Sequence, residues 1–535
     1  MRVTGSKFAS EFDLRNIQCD SNITMTVTSN LVKNGIRLLQ HFDRQRISPA
    51  IQQRSTLQYL LRRAESTAFG QRYRFPDLLR SPDYTDAFRK TVALHDYDSM
   101  FNEWWHRSLA GEADVTWKGH VRHFALSSGT SGAPSKYIPV TQDMRRCLKT
   151  GALRMFACMP KYDLPADFYT KEWLMIGSTS TLQDLGHCYA GDLSGINASE
   201  PPVWIRRFYR PGTQIARIPN WDERTEVIAQ NAYKWDISLI AGTPSWMQLT
   251  VEHILDHYKL DSLHQLWKNL SVVVTGGTSF EPYRKSFERL LDRPLIHQET
   301  YMASEGFIAF QDRPDGNMRL LLNNGIFFEF VPFDDAHFDE SGVIRPNAEP
   351  LTIEEIQEGK DYALLLSTCS GAWRYLIGDV VRFTDKERAE IIVTGRTKHF
   401  LSICGEHLSV DNMTHAVLNV ENKLNVGIPE FTVSGVQAGS HHAHRWYIGT
   451  NDPIVDKELL GRLLDEELCR LNDDYRVERS AMLQKPQVEI VPVSYFYDWQ
   501  RQTGKMNGQS KTARVLKGQS FEAWENFICQ KRQTT

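Results

Sequence analysis

Three strings concentrate side chains able to handle a polyphosphate or a nucleoside. The first is Ser127-Ser128-Gly129-Thr130-Ser131-Gly132-Ala133-Pro134-Ser135-Lys136. Glycine lets a backbone turn its N–H groups inward, hydroxyls donate further hydrogen bonds, and lysine adds a point charge. It is not a Walker A loop, whose lysine opens a helix; Lys136 leads into Tyr137-Ile138-Pro139-Val140. A polar linker has the same composition, so the loop alone leaves both readings open. The second string is Tyr301-Met302-Ala303-Ser304-Glu305-Gly306. Its acid is a hard oxygen ligand of the kind Mg²⁺ takes. The third is Trp373-Arg374-Tyr375-Leu376-Ile377-Gly378-Asp379. Its carboxylate can accept from both hydroxyls of a ribose diol. Each string also has a plainer reading, a buried tyrosine or a capping acid. Their order and spacing together are more specific.

The elements that must hold these strings are α/β in pattern. Apolar residues on either side of the Ser/Gly loop predict strand, loop, strand. A helix follows from Thr141 to Phe156, with Thr141 as its cap. Residues 172–177, 237–242, 270–275 and 295–300 read as strands, alternating with helices at 245–258 and 281–291. Repeated βα units predict a largely parallel sheet with helices on its faces. The polar exits Ser178-Thr179-Ser180-Thr181 and Gly276-Gly277-Thr278 stand where open sheets bind ligands, or are simple turns. After Phe310 strands dominate, and Asn323-Asn324-Gly325 predicts a hairpin joining 318–322 to 326–331. Near the start, leucines at helical spacing over 30–63 predict two helices broken at Pro49. A boundary near Gly395-Arg396-Thr397-Lys398 divides a large unit, 1–395, from a smaller α+β unit, 396–535.

Composition excludes several classes. A chain of 535 residues exceeds one ordinary core. A net charge of −3 argues against nucleic acid as the main partner. The 8 cysteines include no Cys-x-x-Cys pair, so neither a zinc site nor a redox motif is indicated. No stretch approaches the ~18 apolar residues of a membrane span. Glu11 and Asp13 stand where a secretory leader needs an apolar core. A soluble cytoplasmic protein is expected.

Taken together the strings resemble the auxin-responsive acyl-acid amido synthetases of plants and bacteria, within the adenylate-forming superfamily. The likeness rests on Ser127–Gly132 with Lys136, on Tyr301–Gly306, and on Arg374–Val381. Thr67-Ala68-Phe69-Gly70, Val274-Thr275-Gly276-Gly277, Leu471-Asn472-Asp473-Asp474-Tyr475 and Gln509-Ser510-Lys511 support it. The resemblance implies a large N-terminal ATP- and acyl-acid-binding domain and a small mobile C-terminal one. It implies ATP and Mg²⁺ as cofactors, with a small carboxylic acid and an amino acid or amine as substrates. In that pattern Ser127, Ser128, Gly129, Thr130, Ser131, Gly132 and Lys136 grip the phosphates. Thr278 and Tyr301 border the nucleoside, Ser304 lies by the phosphates and Glu305 coordinates Mg²⁺. Asp379 takes the ribose, Arg396 opens the domain junction and Lys398 is the hinge. Lys511 is delivered to the α-phosphate.

Two departures stand out. The superfamily's Tyr-Arg-x-Gly-Asp reads Tyr375-Leu376-Ile377-Gly378-Asp379, which leaves Arg374 out of register for the nucleotide. The late Gln-Tyr-Lys-x-Pro-Arg reads Gln509-Ser510-Lys511-Thr512-Ala513-Arg514. Two other functions share the same motifs: an acyl-CoA ligase using the same acyl-adenylate, and a non-catalytic nucleotide-binding regulator. Among residues near the motifs, Trp173, Met175, Trp204, Trp246 and Phe307 are candidates for an acyl pocket, with a core role the commoner reading for each.

Overall fold

A computed structural model of the chain describes residues 47–534, apart from 128–135, 200–205, 340–341, 398–399, 402–405, 407, 439–440, 454–455, 482 and 504–510. Helix α1 (Pro49–Ala64) begins at the proline itself. Ser48 accepts from the Ile51 N–H, and Pro49 fills a first-turn position whose N–H needs no partner. Leu57, Leu60, Leu61 and Ala64 form its buried face. Strands β1 (His123–Ser127) and β2 (Lys136–Val140) pair antiparallel, with Ser127 opposite Lys136. Thr141 then caps α2 (Gln142–Cys158), its hydroxyl accepting from Met144 N–H at 3.1 Å.

The frame of the molecule is one eleven-stranded sheet. Its parallel half comprises β3 (Glu172–Ile176), β4 (Ile237–Gly242), β5 (Val272–Gly276) and β6 (Ile296–Ala303). Between β4 and its neighbours in sequence lie α3 (Trp221–Ala232) and α4 (Pro244–Tyr258); α5 (Glu281–Glu288) joins β5 to β6. Val272-Val273-Val274 has no polar alternation because both faces of β5 are covered. Val273 and Ile240 face the α3–α4 layer, whereas Val272, Val274, Leu239 and Ala241 face Met159, Tyr162 and Phe168.

The antiparallel half starts at β7 (Gly306–Gln311), which pairs back on β6. It continues with β8 (Met318–Leu320), β9 (Ile326–Pro332), β10 (Asp361–Thr368), β11 (Tyr375–Asp385) and β12 (Glu390–Arg396). The spatial order is β9-β10-β11-β12-β8-β7-β6-β5-β4-β3, with Tyr209–Arg210 at the far edge. The expected hairpin about Asn323-Asn324-Gly325 is therefore absent, since β8 pairs with β7 and β12 while β9 pairs with β10. The turn forms, with Gly325 at φ +75°, but tertiary contacts take it elsewhere. Asn324 donates to Cys147 O at 3.0 Å and Gly325 O accepts from Cys369 N–H at 2.9 Å, so the strands part around α2.

The C-terminal region builds a separate sheet from β13 (Glu430–Ala438), β14 (His441–Gly449) and β15 (Gln487–Val491). Helices α6 (Val410–Leu424) and α7 (Lys457–Leu471) cover one face over Phe431, Val433, Trp446 and Ile448. Helices α8 (Val493–Gln502) and α9 (Gln519–Thr534) supply Phe496, Trp524 and Phe527 to the other.

Candidate functional site

The site forms where the parallel and antiparallel halves of the large sheet meet. β6 is parallel to β5 and antiparallel to β7, and its turn into β7 is Ser304-Glu305. This is a position at which α/β sheets open a crevice beyond their strand ends. β5 leaves the sheet at Gly276. A Cβ there would lie 2.5 Å from Thr300 Oγ1, so only glycine lets the two strand ends approach. Gly277 turns the chain at φ +87°. Thr278 follows, and its hydroxyl is buried with no hydrogen-bond partner among the described residues. A buried unpaired hydroxyl is costly unless something polar fills it.

Asp379, on β11, is held by neighbours on two other strands. The β11–β12 register sets it opposite Arg396, whose Nε lies 2.8 Å from Oδ1. The Tyr301 hydroxyl, on β6, donates to Oδ2 at 2.5 Å. Arg396 also donates to Ile377 O at 3.3 Å. Burial and the Asp379 charge push the Tyr301 phenol well above its usual range, so it stays a neutral donor. Asp379 also holds the Arg396 guanidinium above its ordinary value, against the pull of burial. Each carboxylate oxygen retains a second acceptor site, as two ribose hydroxyls require.

Glu305 is only 6% exposed. Burial, and then the Asp379 charge, raise its carboxyl from 4.5 to about 7; its own backbone N–H, Arg396 and Lys136 pull it back. Lys136 places its ammonium 5.0 Å from the Tyr97 ring centroid. The described residues contain no cluster of three or more His, Cys, Asp or Glu side chains arranged for a metal. A cation here would rest on Glu305 and on oxygens brought by its ligand. That arrangement suits Mg²⁺, which keeps one or two carboxylates plus substrate phosphates.

The last group comes from an irregular segment of the C-terminal region. Lys511 stands over the β5 exit: from where a Cβ of Gly277 would be, its Cε is 3.3 Å and its Nζ 3.6 Å away. Lys511 as a residue is exposed, while the protein atoms gathered about its ammonium desolvate that group. Crowding lowers its ammonium below the ordinary lysine value; Asp379 opposes that shift and Arg396 adds to it. The structure thus gathers Lys136, Thr278, Tyr301, Ser304, Glu305, Asp379, Arg396 and Lys511 around one crevice. Ser127 enters only as the backbone partner of Lys136. Ser128, Gly129, Thr130, Ser131, Gly132 and the hinge candidate Lys398 lie outside the described residues.

Other residues resolve into supports. Arg374 adopts φ +43° and is buried. It clasps Glu329 at 2.8 and 3.0 Å and donates to Arg89 O and Val92 O at 2.6 and 2.7 Å, so its donors are spent on a structural brace. Of the acyl-pocket candidates, Trp246 and Phe307 are core, and Trp173 stacks on Phe208. Met175 stays 40% exposed within a parallel strand, and Trp204 is outside the described residues. Sequence reasoning missed a buried contact between Tyr283, Glu430 and Arg514, which joins the two sheets' regions. Nothing local announces residues so far apart.

Comparisons with known proteins converge on one family. The GH3 family N-terminal domain matches residues 38–159, the central domain 319–390 and the C-terminal domain 411–520, together more than half of the chain. Probable indole-3-acetic acid-amido synthetase GH3.6 of Oryza sativa subsp. japonica is 34% identical over 127 residues, 22% of this chain and 25% of that protein. Indole-3-acetic acid-amido synthetase GH3.8 of Oryza sativa subsp. indica is 26% identical over 41% of this chain and 38% of its own length. The chain thus spans well under two thirds of these curated relatives. A solved GH3.15 acyl acid amido synthetase superposes with a TM-score of 0.74, covering 93% of this chain and 96% of that one at 16% identity. A 2-hydroxyisobutyryl-CoA ligase in the postadenylation state superposes at 0.57, covering 90% and 91% at 15% identity. These last two likenesses speak for the fold. By its three matched domains, the chain belongs to the GH3 family.

Proposed function

We propose that this protein is an ATP-dependent acyl-acid amido synthetase that adenylates a small carboxylic acid and passes the acyl group to an amino acid or other amine. The observation that carries the reading is Lys511. It belongs to the C-terminal region, yet it sits on the Gly277 turn of the large sheet, beside the unpaired Thr278 hydroxyl and the Asp379–Arg396 pair. Relatives named as indole-3-acetic acid-amido and jasmonoyl–L-amino acid synthetases support a carboxylic acid and an amino acid as the substrate classes.

A carboxylate is a poor electrophile because its charge is delocalised. In the first step its oxygen attacks the α-phosphorus of ATP and pyrophosphate leaves. In the second an amine attacks the acyl carbon of the acyl-adenylate and AMP leaves. Lys511 offsets the negative charge that accumulates on the α-phosphate as it is attacked. The Thr278 hydroxyl and Ser304 donate to the phosphates, joined by Lys136 and the loop 127–132. Asp379 accepts the ribose hydroxyls while Tyr301 and Arg396 fix its orientation, and Tyr301 borders the base. Glu305 is the residue that would hold Mg²⁺, whose charge would neutralise the phosphates when bound. The large domain, 1–395, fixes Thr278, Tyr301, Ser304, Glu305 and Asp379, and Arg396 ends the last strand of its sheet; the small domain, 396–535, turns about a hinge at Lys398 between steps and carries Lys511. No helix among the described residues is long and apolar enough to cross a membrane, in keeping with a cytoplasmic enzyme.

Product analysis tests the reading. Purified protein with ATP, Mg²⁺, a panel of small carboxylic acids and either amino acids or CoA should form AMP and an acyl-amide. A thioester formed only with CoA would make it an acyl-CoA ligase. Nucleotide binding with neither product would leave the regulator.

A further inference from the structure

The crevice depends on where the small domain docks, and the docking contact is unusual in its division of charge. Tyr283 on α5 is 2% exposed, and its hydroxyl donates to Glu430 Oε1 at 2.6 Å. Glu430, the first residue of β13, is fully buried. Its other oxygen accepts from Arg514 Nη1 at 2.9 Å. Arg514 also donates to Phe431 O and Pro429 O, both at 3.2 Å, and lies 4.5 Å above the Phe431 ring. Both members of the ion pair therefore belong to the small domain, and among the described residues the Tyr283 hydroxyl is the group of the large one that hydrogen-bonds to them.

The same two segments carry both contacts. Tyr283 follows Gly277 by one turn and the start of α5, and Arg514 follows Lys511 closely along a segment zipped to β13. Thr432 Oγ1 donates to Ala513 O at 2.8 Å, and Val433 N–H donates to Arg514 O at 2.9 Å. We propose that Tyr283 is a positioning residue: its hydrogen bond to the Glu430–Arg514 pair latches the small domain in the pose that sets Lys511 on Gly277. The latch releases without stranding a charge. When the domain turns, Glu430 keeps Arg514, and what breaks is the contact of one neutral hydroxyl, which donates to Glu430 and accepts from Arg514 Nη2 at 3.5 Å, instead of a buried ion pair, whose rupture leaves an uncompensated charge. Among the described residues two ion pairs also cross: Arg501–Asp222 is exposed on both sides and holds weakly, whereas Arg289 meets both oxygens of the half-buried Asp452 at 3.1 Å.

The inference rests on the amido synthetase reading, so its test needs a readout independent of catalysis. Tyr283→Phe keeps the ring and removes the hydroxyl. Amide hydrogen exchange followed by mass spectrometry should show about tenfold faster exchange in peptides covering 511–516 and α5, with β10 unchanged. Acid-dependent pyrophosphate exchange should fall about tenfold while amide formation from a supplied acyl-adenylate is kept or quickened. Unchanged protection at 511–516 would overturn the latch. So would an equal loss in both half-reactions with faster exchange in β10, which would make Tyr283 merely structural. If the unaltered protein performs neither half-reaction, the functional reading fails, and hydrogen exchange alone decides whether the latch exists.

Discussion

The two walls of the crevice are built on opposite principles. On the wall built by the large sheet the polar groups satisfy one another through strand register: Tyr301 and Arg396 grip Asp379, and Glu305 sits buried beside them. On the other wall Lys511 has no ion-pair partner among the described residues, and its ammonium is lowered by crowding. A pre-organised wall costs nothing to reorganise during reaction. A cation without a fixed partner can be presented in one step and withdrawn in the next. The contrast assigns binding to the first wall and the timing of chemistry to the second.

The largest effect should come from the delivered wall. Lys511→Ala is expected to slow adenylation by about 10²–10³-fold, the usual loss when one charge-stabilising donor is removed. Nucleotide affinity, read by calorimetry, should change little. The fixed wall should show the reverse pattern. Asp379→Asn weakens the contact with Arg396 and turns one acceptor into a donor, so ATP affinity should fall by about 10–100-fold. A Lys511-like loss of rate at unchanged affinity would dissolve the distinction between the walls.

The smallest effect concerns stability of the metal-free protein. Burial raises the Glu305 carboxyl from 4.5 to about 7, so between those values the folded chain holds a proton that the unfolded chain has lost. Stability from this group is therefore present below pH 4.5 and declines as pH rises to about 7. Glu305→Gln removes the penalty and should stabilise the metal-free protein by about 3 kcal/mol at pH 8, with no gain at pH 4. Thermal melts at the two pH values check it; equal gains at both would mean that packing, not charge, is responsible.

Much of the large-sheet wall was legible because its signals are local. Val272-Val273-Val274 with Gly276-Gly277 marks a buried strand and its exit, and Glu305 and Asp379 stand in short strings next to strands. Asn323-Asn324-Gly325 misled because turn chemistry sets a turn but not the strands that pair beyond it; contacts with Cys147 and Cys369 decided that. Arg396 read as a junction residue, whereas the β11–β12 register also makes it the partner of Asp379. The Tyr283–Glu430–Arg514 contact was invisible because its residues look like ordinary surface types until three distant segments are brought together. The Ser/Gly loop that first suggested phosphate chemistry lies almost wholly outside the described residues, so its frame is placed and its grip is not.

The most direct test of the two-wall account is a comparison of half-reactions in Lys511→Ala. Exchange of labelled pyrophosphate into ATP, driven by an accepted carboxylic acid, reports the first; amide formation from a supplied acyl-adenylate reports the second. The account predicts that exchange collapses while amide formation proceeds at close to the unaltered rate. Equal loss in both half-reactions, or undiminished exchange, would contradict it.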